Sequence, residues 1–311
     1  MALDPDAERV LELVRLSGRP PFEEVSPEEA REFFLGARKL FSPEPEPIAE
    51  VRDVAPPRAP VPLRLYRPRE GVLPALVFFH GGGWVVGNLD GYEWLCRHLA
   101  NAAECAVVSI DYRLAPEHKF PAAVDDAWAA TRFVDEEAAT FGIDRERLAV
   151  GGDSAGGNLA AAVSLIARDQ EAPKLRFQLL IYPALDLGMK QDSVRRFAEG
   201  YLLTRATMSW FIDHYLRSAG DAEDPRASPL FASNLEGLPP AYVLTAGFDP
   251  LQDEGDAYVR RLAAHGVAVR HRHYEGQIHG FVTMGKVIRA AGPALDEAAA
   301  ALASALREGE R

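Results

Sequence analysis

The sequence predicts an α/β fold: one large domain built on a mainly parallel β-sheet with helices on both faces. Three observations carry that reading. Apolar runs of strand length recur at 75–79, 106–110, 148–150, 178–181 and 242–245, and runs without polar alternation mark strands buried on both sides. Helix-length segments separate them, as the crossovers between parallel strands require. The chain has 311 residues, 48% of them hydrophobic, enough to bury a substantial core.

In chain order, residues 1–42 read as two amphipathic helices. Val10, Leu11 and Val14 form one stripe, and Phe33, Phe34, Leu35 and Phe41 populate a second. Ser26 and Pro27, followed by Glu28 and Glu29, supply a helix start between them. A proline-rich stretch at 43–62 then leads into the alternation of strands and helices. Residues 185–225 interrupt the rhythm with two helical patterns rich in Tyr, Phe, Met and Trp, an insertion expected to lie over the site. A strand at 268–274 is expected at an edge of the sheet, where it could pair across a homodimer.

Composition excludes several classes of function. With 34 basic and 46 acidic residues the formal charge is -12, which repels a polyanion, so no nucleic-acid partner is expected. The start of the chain is acidic where a signal peptide needs basic residues, and no apolar run approaches a membrane span, which points to the cytoplasm. Cys96 and Cys105 are the only cysteines, too few for a disulfide framework or a thiolate metal site. Both fit core positions as small apolar residues.

The strand at 148–150 runs into Gly152-Asp153-Ser154-Ala155-Gly156, and a helix follows. This is the strand, tight turn, helix context of a G-x-S-x-G nucleophile elbow, in which flanking glycines let the backbone turn sharply and leave the hydroxyl exposed. A plain reading of Ser154 as the N-cap of the following helix competes with it. A serine nucleophile needs a histidine to take its proton and an acid to fix that histidine's tautomer. Of the histidines after Ser154, His214 and His265 fall in helical patterns, and His271 and His273 lie inside a strand, on one shared face. His279 stands in a loop, 275–281, just past a strand end, from which it can reach the serine.

Asp249 is the candidate acid, at the end of the strand 242–245. Asp before Pro250 is also a strong helix N-cap, and Asp253 is the alternative acid one turn further on. Three consecutive glycines, Gly81 to Gly83, end another strand. Their N–H groups, free of side chains, suit stabilisation of a negative oxygen. Gly82, Gly83 and Ala155 are assigned to that hole, with Gly81 a further candidate, and His80 is read as organising the loop rather than acting as base.

Taken together, His80-Gly81-Gly82-Gly83-Trp84, the run from Asp111 to Glu117, Gly152 to Gly157, Asp249-Pro250-Leu251 and His279-Gly280-Phe281 resemble the hormone-sensitive-lipase family of carboxylesterases. The likeness covers about residues 45 to 310. It implies the α/β-hydrolase fold, with a mostly parallel eight-stranded sheet flanked by helices. It also implies a helical cap formed by 1–42 and the 185–225 insertion, over a catalytic domain of 43–184 and 226–311. Ser154, Asp249 and His279 would be the triad and Gly82, Gly83 and Ala155 the oxyanion hole. The resemblance implies a small-molecule ester substrate with a short to medium acyl chain, no cofactor and no metal. It further implies that Arg113 and Glu117 pair near the elbow. The glycine-flanked Ser154 is also similar to the serine of trypsin-like proteases, but the chain order His80, Asp125, Ser154 which that reading needs belongs to an all-β fold.

The same triad would serve an amidase, a lactonase or an acetyl-ester deacylase, and the family includes binding receptors that lack the triad histidine. His279 argues against a receptor. Phe33, Phe34, Trp84, Tyr182, Tyr201, Met208 and Phe211 are candidates for the substrate pocket, each also readable as cap core. Because the base works only when neutral, the rate is expected to fall on acidification.

Overall fold

The computed structural model describes residues 2–57 and 59–307. Eight strands form one sheet: β1 (Glu50–Val54), β2 (Leu63–Arg67), β3 (Leu73–Phe79), β4 (Ala106–Ile110), β5 (Ile143–Asp153), β6 (Leu175–Ile181), β7 (Ala241–Phe248) and β8 (Val269–Ile278). Their order is β1-β2-β4-β3-β5-β6-β7-β8. β2 pairs antiparallel with β1 and with β4, and the remaining pairings are parallel.

The helices are α1 (Pro5–Leu16), α2 (Pro27–Phe41), α3 (Glu93–Ala103), α4 (Ala122–Glu136), α5 (Ala138–Phe141), α6 (Ala155–Asp169), α7 (Asp192–Arg196), α8 (Arg205–Tyr215), α9 (Gln252–Ala264) and α10 (Ala291–Arg307). Side chains alternate across the sheet with period two. In β3, Ala75, Val77 and Phe79 enter the layer shared with α4, α6 and α9, while Leu76 and Phe78 enter the layer shared with α3 and α10. Both layers are apolar, which is why the strand shows no polar alternation in sequence. Cys96 and Cys105 sit in the second layer, unpaired and buried, and burial pushes both thiols up to about 12.

The local start signals work as the sequence suggests at α2. Ser26 and Glu29 form a reciprocal capping box, with Pro27 in the first turn, an arrangement worth about 1 kcal/mol. No helix among the described residues is long and apolar enough to cross a membrane.

Three expectations change. β1 lies inside the proline-rich stretch, where the sequence shows no apolar run because Glu50, Arg52 and Asp53 are charged. It is an edge strand tied to β2 by ion pairs, Arg67 to Glu50 and Arg64 to Asp53. β8 continues to Ile278 instead of ending at Tyr274. Gly276 reads as a loop signal, yet pairing with β7 resumes beyond a bulge between Ala246 and Phe248. Gly247 permits that close approach: a Cβ there would stand 2.0 Å from the Glu275 carbonyl oxygen. Finally, Arg113 and Glu117 do not pair. Arg113 makes a forked contact with Asp126 of α4, and Glu117 receives two bonds from Arg31 of α2, since the turn carrying them aims the two side chains at different helices.

Candidate active site

The parallel register delivers the three candidate catalytic side chains to one end of the sheet. β5 stops at Asp153 and α6 starts at Ala155, so Ser154 makes the whole turn, at φ 56° and ψ -118°. A serine in that region stores on the order of 1–3 kcal/mol of backbone strain. Packing holds it there: a Cβ on Gly156 would lie 1.8 Å from the Phe79 carbonyl oxygen, so only glycine lets α6 meet β3 this closely. The Ser154 N–H is spent on the Ile181 carbonyl at 2.9 Å, and the hydroxyl faces His279.

Asp249 and His279 come from the neighbouring strands. Phe248 of β7 pairs with Ile278 of β8, so the next residue on each strand stands beside the other. His279 Nδ1 lies 2.7 Å from Asp249 Oδ2, and His279 Nε2 lies 3.0 Å from Ser154 Oγ. Asp249 is fully buried, and its second oxygen accepts the Leu251 N–H at 2.8 Å. The N-cap reading is therefore modified. α9 starts only at Gln252, and Asp249 shapes the turn before it with one oxygen while facing His279 with the other. Asp253, the alternative acid, accepts from the Ser193 N–H and pairs with Arg196, away from Ser154.

The glycine loop after β3 lies against the elbow. Gly82 has φ 120°, and a Cβ there would lie 2.2 Å from the Val86 carbonyl oxygen. Within the described residues the N–H groups of Gly82, Gly83 and Ala155 have no acceptor, and all three residues line the same cavity as Ser154. Gly81 is different: its N–H donates to Asp153 Oδ1 at 2.7 Å, so it is not available to a substrate oxygen. His80 is fully buried, stacks on Tyr112 and places Nδ1 2.8 Å from the Gly81 carbonyl. Burial pulls the His80 imidazole down to about 4, which keeps it neutral at pH 7, and the Gly81 carbonyl, which can only accept, makes Nδ1 the donor. It organises the loop and does not face Ser154.

A family model described as the α/β hydrolase fold matches residues 76–283. The chain belongs to that family, in its hormone-sensitive-lipase-like branch. It is 46% identical over 251 residues to the carboxylic ester hydrolase LipN of Mycobacterium tuberculosis, covering 78% of this chain and 67% of the relative. To the ethyl acetate hydrolase of Pseudomonas putida it is 40% identical over 303 residues, covering 94% and 95%. Among solved structures, an ester hydrolase from the metagenome of Lake Arreo, complexed with a derivative of bipyridine phosphonate, superposes with a TM-score of 0.93 at 43% identity, covering 97% of this chain and 98% of the other.

In this α/β hydrolase, Ser154 and His279 open into a cavity of about 1290 Å³ lined by α1, α2, the segment 200–204 and α8. Phe34, Trp84, Tyr201, Met208 and Phe211 line it. Tyr182 does not. It is buried at 1% exposure with its ring 4.7 Å from the His279 imidazole, because β6 ends there beneath the histidine and not in the cavity. Phe33 is likewise absent from the lining, its ring lying under the Arg19 guanidinium.

One part of the site escaped the sequence reading. Asp153, buried beside Ser154, accepts from the Gly81 N–H with Oδ1 and from the Tyr92 hydroxyl with Oδ2 at 3.0 Å. Arg38 of α2 donates to the Tyr92 oxygen at 3.1 Å and covers the Phe34 and Tyr92 rings. Burial raises the Asp153 carboxyl above the usual range, and the charge of Arg38 opposes that rise. Asp153 sits within the quoted pentapeptide, so its place was visible. Its partners are distant in sequence and were not.

Proposed function

We propose that this chain hydrolyses carboxylic esters of small molecules with short to medium acyl chains, through a covalent acyl-enzyme on Ser154. His279 takes the Ser154 proton as the hydroxyl attacks the ester carbonyl, and Asp249 holds the imidazole in the tautomer that presents Nε2 as acceptor. The oxyanion is received by the N–H groups of Gly82, Gly83 and Ala155. His279 returns the proton to the departing alcohol, and water then repeats the cycle on the acyl-enzyme. The observation that carries this reading is the unbroken hydrogen-bond chain from Ser154 through His279 to Asp249, opening into an apolar cavity.

The reading includes a helical cap made of residues 1–42 and 185–225 over a catalytic domain of 43–184 and 226–311. It is supported by the contact between the two segments, where Phe22 packs edge-on to Phe211 with centroids 5.8 Å apart and the Thr207 hydroxyl donates to Glu23. It places the enzyme in the cytoplasm, in keeping with two unpaired cysteines. It also allows a homodimer through the exposed edge of β8.

Initial rates on p-nitrophenyl esters from acetate to palmitate test the substrate class. A maximum at butyrate or hexanoate is expected, and a maximum at palmitate contradicts it. Ser154→Ala is expected to reduce turnover of p-nitrophenyl butyrate by on the order of 10⁴-fold or more with an unchanged circular-dichroism spectrum. Retained turnover would move the nucleophile elsewhere.

A further inference from the structure

Away from the catalytic centre, one group of metal-ligating atoms converges where β7, β8 and α9 meet. Thr245 of β7 stands across from His273 of β8 in the parallel register, and His271 lies two residues earlier on the same strand. The period of two therefore puts both imidazoles on one face of the edge strand. Asp256 reaches over them from α9. His271 Nε2 lies 3.4 Å from Asp256 Oδ1. Thr245 Oγ1 lies 2.9 Å from His271 Nε2, 2.9 Å from His273 Nδ1 and 3.5 Å from Asp256 Oδ1.

Without metal the Thr245 hydroxyl can serve all three groups, donating to Asp256 Oδ1 and accepting an N–H from each imidazole; a cation would take the place of those two imidazole protons. The ligand atoms of Asp256, His271 and His273 all lie within 4.8 Å of one another. Around a tetrahedral zinc ion with bonds of about 2.1 Å, neighbouring ligand atoms stand about 3.4 Å apart, which is the separation between His271 and Asp256. Two imidazoles and one carboxylate form a donor set for borderline divalent cations such as zinc and a poor one for magnesium, which takes oxygen ligands. The adjoining shallow concavity carries Asp192, Asp253 and Asp256 against Lys190 and Arg260, so it does not repel a cation on balance.

We propose that Asp256, His271 and His273 bind a divalent transition cation of the zinc type, in a site separate from the catalytic centre. Its role is structural. The ion joins the edge strand β8 to α9 beside Thr245 of β7, on the two strands whose ends present Asp249 and His279. Occupancy would therefore protect the strand pair that sets the spacing of acid and base, without touching substrate. Metal that binds only the folded state raises stability by mass action.

The test is calorimetric titration of Zn²⁺ into the chelator-treated full-length protein. One equivalent is expected to bind, with the melting temperature raised by a few degrees at about 100-fold excess over Kd, and Mg²⁺ is expected to give no comparable heat. The double variant His271→Ala/His273→Ala should lose both the equivalent and the thermal shift while keeping kcat on p-nitrophenyl butyrate within about twofold. Asp256→Asn, which preserves shape, should weaken binding by about tenfold or more and guards against a folding defect in the double variant. Absence of a stoichiometric equivalent in the wild-type protein, or an equivalent that survives in both variants, would overturn the proposal.

Discussion

At the scale of single residues, the site is organised by carboxylates whose two oxygens serve different partners. Asp249 gives Oδ2 to His279 and Oδ1 to the Leu251 N–H, so the same carboxylate that faces the base also fixes the turn carrying it. Asp153 does likewise, tying the glycine loop at Gly81 to Tyr92. Tyr92→Phe removes a donor from Asp153 and an acceptor from Arg38. It leaves a buried carboxylate oxygen unsatisfied, at a cost of about 1–3 kcal/mol, where the loop must hold Gly82 and Gly83 in place. If Gly82 and Gly83 are the oxyanion donors proposed above, kcat is expected to fall by on the order of tenfold with KM little changed, since displaced donors weaken the transition state and not the ground state. A rise in KM at constant kcat would contradict that role.

Among the elements, α2 has an attachment that depends on pH. Its Arg31 grips Glu117 with two nitrogens and also donates to the carbonyls of Val85 and Ala115, the first of them just past the glycine loop. Arg31 holds the Glu117 carboxyl at about 2, below its ordinary 4.5. A carboxyl depressed on folding contributes stability that is fully present above 4.5 and is lost as pH falls through about 2. Both side chains are partly exposed, at 28% and 46%, so the pair is worth at most about 1 kcal/mol. Acidification from pH 5 to pH 2 is therefore expected to loosen α2, and in Arg31→Ala this pH-dependent part of the change should be absent. Hydrogen exchange of the α2 amides over that range measures it. The start of α2 was legible in advance, because a capping box and a first-turn proline are written within four consecutive residues. The extent of β8 was not. Gly276 signals a loop locally, and only pairing with β7 across the Gly247 approach keeps the strand going to Ile278.

For the whole molecule, two apolar layers on either face of one sheet set the stability and hold the strand ends in register. Phe78 is fully buried in the layer shared with α3 and α10. Phe78→Ala should cost about 3–5 kcal/mol, read as a lower denaturant midpoint at an unchanged m-value, and a loss below 1 kcal/mol would mean that the layer repacks freely.

The sequence by itself determined what depends on neighbours along the chain. The buried strands are apolar throughout, the elbow needs glycines flanking Ser154, and the loop after β3 needs glycines whose amides stay bare. Each of these is a local steric or solvation demand that leaves a local record. Tertiary structure alone decided which partners meet. It assigned Arg113 to Asp126 and Glu117 to Arg31, put Tyr182 under His279 instead of in the cavity, and joined Arg38, Tyr92 and Asp153 across three elements. It also let Asp249 serve turn and histidine together, which the sequence had posed as competing uses. The reason is physical: a side chain's type limits the bonds it can make, but the choice among eligible partners is made by strand register and helix packing, which bring together residues that the chain keeps far apart.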